Sequence, residues 1–493
     1  MVSINKSNKE NTSNKEYTSH KKNNSKSTKI IKILDEVKKE IKPNLAIVDK
    51  VILFLSNLNE NLKKEKINAS CIPGGSIAKN TFLKDDFDID VFVKFNFSYK
   101  NNEISKIFEN FLIKNNINYK KIHGSRDYFH VLKDDYLYEF VPILEFKNPN
   151  EILNITDMSY LHVSWVKKNL KKNQENEIRL TKKFMKAINV YGAESFIRGF
   201  SGHIVDILII KYGSFLNLLI QAKKWKNQEK PIIIDIEKYY KNKKEVIFNL
   251  NKSKLQSPLI IIDPILKTRN ASAGLSYEKF NLFIEKSIDF LKNPEKKFFE
   301  TKTPEKILKK NKNSIILQFN VKKFDNIKNN TPFNKKIQIN KKNNNLLEKN
   351  LLEKNIQTTE NKDILGCKIK KIINLIKNDL LKYKINILEE NIFFNYFLEE
   401  NIFKKKESNN EIDFILVILS VNKLNLPKEI ELTGPSIEFK FDCENFKKKH
   451  KKVYIKNKRL FAKIEIKKTL YDLIKETFNK SYFTKYFDLI KII

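Results

Sequence analysis

Cysteine is scarce in this chain of 493 residues: Cys71, Cys367 and Cys443 stand far apart. They form no metal-binding spacing and no disulfide framework, which points to a reducing compartment and a cytoplasmic protein. No apolar run approaches the roughly 18 residues that suggest a membrane span. The N-terminus lacks the apolar core of a signal peptide, so no membrane partner is expected. Arginine is almost gone. Five remain (Arg126, Arg179, Arg198, Arg269, Arg459), four of them between 126 and 269. Where Lys has replaced Arg nearly everywhere, a retained Arg is a candidate for work that needs a planar, multidentate cation. Glycine is also rare, and eight of the ten fall between Gly74 and Gly274. They mark turns or close backbone approaches.

What is abundant is positive charge. Lys and Arg number 95 against 58 Asp and Glu, a formal net charge of +37. A polyanionic partner is the first expectation, discounted because Lys, Asn and Ile are rich throughout, as an AT-rich genome would produce. Hydrophobic residues make up 41%, enough to bury real cores. The length suits about three domains.

Composition and periodicity divide the chain. Residues 1–28 read as a disordered basic arm. A catalytic domain is expected over 29–150, a central domain over 151–300, and a C-terminal α+β domain over 301–493. An Asn/Lys-rich linker lies near 327–362. Apolar residues recur at helical spacing from Ile30 to Leu62, with Pro43 separating two helices. A strand is expected from near Phe87, a second over 136–144 and a short buried one over 258–265. Residues 175–220 read as helical, broken by glycines around Arg198 to Gly202. Further on, helices are expected at Ile369–Leu381 and Leu470–Phe478, and strands at Phe414–Val421 and Ile437–Phe441.

Asp88 and Asp90 carry the chemistry. Two residues apart on a strand, they point the same way. Parallel carboxylates a few ångströms apart are unfavourable unless a cation lies between them, and oxygen ligands suit Mg²⁺. Upstream, Gly74-Gly75-Ser76 precedes a short helix whose free N–H groups would receive phosphate. Ser76 offers a hydroxyl and Lys79 a charge to the same anion. Glu139, on the 136–144 strand, is placed to supply a third carboxylate, and three can hold two metal ions.

These residues resemble a family. GGSIAKNTFLKDDFDIDVFVKF (74–95) looks like the signature of polymerase-beta-like nucleotidyltransferases, and in detail like that of the archaeal-type (class I) CCA-adding tRNA nucleotidyltransferases. DMSYLHVSWV (157–166), EIRLTKKFMKAINVYGAESFIRGFSGHIVDILIIKYGSF (177–215), PLIIIDPILKTRNASAGLSYEKF (258–280) and LTGPSIEFKFDCENFKKKH (432–450) resemble that family in order. The resemblance covers roughly 30–493. It implies an α+β fold, with a mixed or antiparallel sheet in the catalytic domain, a largely helical central domain and an α+β C-terminal domain. It implies addition of C, C and A to the 3′ end of tRNA from CTP and ATP, with Mg²⁺ on Asp88, Asp90 and Glu139. It places nucleotide contacts on Gly75, Ser76, Lys79, His162, Lys182 and Tyr191, and sets Arg269 facing the incoming base. A homodimer is also implied.

The chain departs from the family pattern at Glu139, where Asp is common, and at Met158, where Arg is usual. It has His203 and Asp206 where the family usually shows FSGY and ELL. Lys182 and Tyr191 are nine residues apart, about 2.5 turns, so a break near Val190 is needed for both to reach one ligand. Arg179 and Arg198 are open between tRNA phosphate contacts and structural roles. Two alternatives stand beside the main reading: a poly(A) polymerase on the same core, and a non-catalytic RNA-binding protein on that scaffold.

Overall fold

The computed structural model describes residues 27–84, 86–124, 126–146, 154–225, 231–322, 362–399, 402–405 and 412–493. Most of the expected basic arm and nearly all of the expected linker lie outside them. The chain divides into two compact units, Met1–Thr301 and Lys302–Ile493. The fold is α+β.

The first unit opens with two helices, α1 (27–41) and α2 (Ala46–Lys64), on either side of Pro43. Val51, Leu55, Leu58 and Leu62 of α2 recur every three or four residues and are buried, as an amphipathic helix requires. Strand β1 (Ala69–Pro73), the single helical turn α3 (Gly75–Ala78) and β2 (Ile89–Phe95) follow. After α4 (Ile104–Lys114) come β3 (Lys120–Ile122), β4 (Tyr128–Lys133) and β5 (Tyr136–Leu144). The sheet order is β1-β2-β5-β4-β3. Only β2 and β5 run parallel; every other pair is antiparallel.

A parallel pair needs a long crossover, and α4 with the β3–β4 hairpin supplies it. Ile89, Val91, Val93 and Phe95 face a core shared with α2, α4, Phe129 and Phe140. Alternation therefore turns Asp90 to the opposite face of the sheet. Pro142 lies beyond the end of the β4 ladder, so its missing N–H breaks no pairing there.

The strand expected from near Phe87 begins at Ile89. A bridge between Leu83 and Asp86 folds the preceding residues into a tight turn, and Asp88 precedes the ladder.

The rest of the unit is mainly helical: α5 (Ser159–Asn169), α6 (Gln174–Ala187), α7 (Gly202–Tyr212) and α8 (Phe215–Lys224). Strands β6 (Ile232–Ile234) and β7 (Leu259–Ile261) pair in parallel around α9 (Lys243–Asn249), and α10 (Tyr277–Lys292) closes the set. Ser201, Ser214 and Ser276 cap α7, α8 and α10 by accepting from a backbone N–H three residues on. The core is aromatic: Phe184, Phe215, Phe283 and Phe290 are fully buried and meet edge to face. Among the described residues no single helix is long and apolar enough to cross a membrane.

The second unit holds a four-stranded antiparallel sheet in the order Phe487–Ile492, Ser314–Val321, Phe414–Val421 and Ile387–Phe394. Helix Lys362–Lys382 and helix Leu470–Asn479 bury apolar faces with that sheet. Ile437–Phe441, expected as a strand, is not one. The neighbouring strand Glu429–Ser436 ends before it, and a helix runs from Lys440 to Lys449. Ile437, Phe439 and Phe441 alternate like strand residues but are all exposed, so no buried face holds them extended.

Candidate active site

Asp90 on β2 and Glu139 on β5 are partners in the parallel register, so their side chains leave adjacent strands side by side. Asp88 is exposed just upstream. Burial pushes the Asp90 carboxyl up to about 6, and the carboxylates of Glu139 and Asp88 add to the push. Lys79 and Lys182 pull it back. These groups therefore share one electrostatic neighbourhood. Glu139 also meets His130 across β4, with Nε2 and Oε2 3.0 Å apart. His130 carries no motif, and only strand register reveals it.

Two glycines bring the backbone against Asp90. The Gly74 N–H donates to the Asp90 carbonyl at 2.8 Å. Gly75 has φ +47°, in the left-handed region, and a Cβ there would collide with the Asp90 carboxylate. Glycine at 75 thus leaves room for the carboxylate, and Ser76 follows in α3.

Two cations lie within electrostatic reach of Asp90. Lys79 Nζ is ion-paired with Asp206 of α7, and Asp206 is fully buried. Lys182 of α6 donates from Nζ to the Thr81 carbonyl at 3.0 Å. Burial pulls its ammonium down to about 8, against the attraction of Asp206. Helix α6 ends at Ala187, and Tyr191 then pairs with Phe200 in an isolated bridge. The required break is there, and it turns the Tyr191 hydroxyl toward Gly202. Burial raises the Tyr191 hydroxyl's pKa, and Asp206, Asp86, Glu194 and Asp90 add to it.

His162 of α5 lies with Nε2 3.0 Å from both oxygens of Asp263. Arg269 is ion-paired with the same carboxylate. Burial alone would raise the Asp263 pKa, but His162 and Arg269 hold it well below the usual carboxylate range. His203 of α7 packs its ring against His162, centroids 4.2 Å apart. Asp263, at the end of the buried run Leu259–Ile262, was not singled out from the sequence. A carboxylate closing an apolar strand before Pro264 was the available signal.

Two of the rare arginines are structural. Arg126 forks onto buried Asp157 and the Pro142 carbonyl. Arg179, 4% exposed, bonds the carbonyls of Phe82 and Asn80 and the side chains of Asn80 and Asn176. Arg198 is exposed with φ +55°. Met158, at the position where the resemblance leads one to expect Arg, is fully buried.

Comparison with known proteins fits this arrangement. Residues 55–159 match the family described as "Nucleotidyltransferase domain". Residues 176–300 match "tRNA nucleotidyltransferase, second domain". The CCA-adding enzyme of Methanococcus maripaludis is 30% identical over 311 residues, 60% of this chain and 68% of that one. The chain belongs to the CCA-adding enzyme family. The CCA-adding enzyme of Methanocaldococcus jannaschii is 29% identical over 464 residues, 91% of each chain. That of Nanoarchaeum equitans reaches 49% over 220 residues, 45% of this chain and 55% of its own. For the Nanoarchaeum and Thermococcus gammatolerans CCA-adding enzymes, the match spans 55% and 60% of the relative's length. The transferase match runs from α2 to the start of α5, and the second match holds α6 to α10.

Nucleotidyltransferases of this class generally use a divalent metal. The residues of this family member fit one: a carboxyl pushed up by burial, and further by two carboxylate neighbours, gains from a cation beside it.

Proposed function

We propose that this protein adds C, C and A in turn to the 3′ end of tRNA without a nucleic acid template, taking CTP and ATP and releasing pyrophosphate. The observation that carries the reading is the meeting of Asp90, Glu139 and Asp88 beside Lys79 and Lys182, under a backbone turn that only glycine fits. Residues 29–150 would form the transfer domain, 151–300 the nucleotide- and tRNA-binding domain, and 301–493 a further tRNA-binding domain. The setting is cytoplasmic, and the working form a homodimer.

Asp88, Asp90 and Glu139 would hold Mg²⁺. When bound, Mg²⁺ supplies electrostatic stabilisation at the reacting phosphate and a more acidic 3′-hydroxyl. The extra methylene of Glu139 over Asp moves its oxygen by about a bond length, and His130 steadies it there. Lys79 and Lys182 offset the triphosphate charge, with Ser76 and the Gly75 backbone against the same phosphates. Lys79 has to share itself between Asp206 and the incoming nucleotide. His162 and Tyr191 complete the triphosphate contacts. After meeting Asp263, Arg269 keeps further N–H donors in a planar fork that can match a base edge, a geometry a Lys ammonium lacks.

The test is an extension assay with tRNA lacking its CCA end, CTP, ATP and Mg²⁺. Exactly three added nucleotides, ending in A, are expected. Long A tails or no extension would overturn the reading. Asp88→Asn combined with Asp90→Asn should remove extension and leave the circular dichroism spectrum unchanged.

A further inference from the structure

The His162–His203–Asp263 cluster holds more than a nucleotide contact requires. Each residue offers one ligand atom, and these atoms lie within 4.8 Å of one another. Both ring nitrogens of His203 are inaccessible and have no hydrogen-bond partner among the described residues. A buried imidazole with both nitrogens unsatisfied is costly, and such a group calls for a ligand. Asp263 is already aimed: its Oδ1 accepts from the backbone N–H groups of Ile265 at 2.9 Å and Leu266 at 3.2 Å. Arg269 orients the same carboxylate from the Oδ2 side. Such outer partners are what fix a metal-ligating side chain in place.

We propose that His162, His203 and Asp263 form a second cation site, taking a borderline-soft divalent ion such as Zn²⁺ and distinct from the oxygen-only carboxylate site. Two imidazoles and one carboxylate are a three-ligand zinc set that leaves a fourth position open. Mg²⁺ prefers oxygen and water and does not compete well for it. Zinc–ligand bonds of about 2.0–2.2 Å require the ligand atoms to close by about an ångström, within reach of side-chain rotation. The ring nitrogens of His203, inaccessible and unpartnered, leave a lone pair to give. Asp263 is ionised. The neighbouring charge of Arg269 opposes a divalent ion and sets a ceiling on affinity.

The consequence rests on the proposed function, although the site itself does not. An ion on His162 engages the ring that the proposed function sets against the triphosphate, so Zn²⁺ should inhibit transfer competitively with nucleotide.

The probe is Co²⁺, titrated into the full chain in excess Mg²⁺ with no tRNA or nucleotide. Wild type is expected to bind one Co²⁺ with visible ligand-field bands, and Zn²⁺ to raise its melting temperature. His203→Phe should weaken Co²⁺ binding by about tenfold or more and abolish the zinc-induced thermal shift. Asp88→Asn with Asp90→Asn should keep both. If His203→Phe does not melt cooperatively, His162→Gln is measured in its place. The proposal fails if wild type gives no bands, if affinity is unchanged in the histidine variant, or if the bands vanish only in the aspartate variant. Three-nucleotide extension in Mg²⁺ alone reads the proposed function separately.

Discussion

Gly75 and Lys182 show how narrow the tolerance of single positions is at this site. A Cβ at Gly75 has no space beside the Asp90 carboxylate, and φ +47° disfavours any L side chain. Gly75→Ala must therefore move the turn or the carboxylate. A displacement near an ångström costs about 100-fold in rate, so single-turnover CTP addition should fall by that order. The nucleotide contact proposed for Lys182 depends on its charge, which burial makes easy to lose. Below about pH 8 it is protonated, and as the pH rises through that value the charge goes. Each pH unit above it weakens CTP binding by up to about tenfold, while Lys182→Met binds weakly at every pH. Folding stability moves the other way. Between about 8 and the ordinary lysine value of 10.5 the unfolded chain keeps a proton that the folded chain has released, so stability rises with pH there. Isothermal titration and chemical denaturation across pH 7 to 10, roughly the window set by these pKa values, separate the two effects.

Among elements, α6 is latched to the turn after α3 by Arg179. Its guanidinium bonds two carbonyls and an amide of the segment Asn80–Phe82, and these reach it from about a hundred residues away in the chain. Arg179→Met removes the donor from the buried Phe82 carbonyl and from the part-buried acceptors of Asn80. A loss of about 2–4 kcal/mol in urea unfolding is expected, with tRNA affinity of the folded variant nearly unchanged. A large affinity loss with full stability would assign Arg179 to phosphate binding instead. Elements with strong local patterns were legible: the 136–144 strand, the α1–α2 break at Pro43, and the strand Phe414–Val421. Ile437–Phe441 was misread because an alternating pattern says nothing about whether a core waits on one side. The strand partners His130 and Glu139 were invisible as a pair, since cross-strand register links residues that have no fixed spacing.

Over the whole molecule, the charge of +37 sets the long-range term in any binding to RNA. The log of affinity for tRNA should fall linearly with the log of salt concentration, by about 0.7–0.9 per phosphate neutralised. Residues 1–26 hold six lysines against two glutamates. Deleting them should make that slope shallower and leave product length at three nucleotides. A filter-binding series in KCl with the extension assay checks both.

Residue types and local spacing determined much by themselves. Asp88 and Asp90 with Gly74 to Lys79 pointed to metal-assisted nucleotidyl transfer, because that chemistry sits within a short stretch and is written in consecutive residues. Tertiary structure alone decided what surrounds it. It paired Lys79 with Asp206, locked Arg126 and Arg179 into buried forks, and set His203 beside His162 and Asp263. These contacts join residues up to 127 positions apart. Sequence carries the identity of each partner, but the choice between them is made by packing, where burial makes an unpaired charge costly.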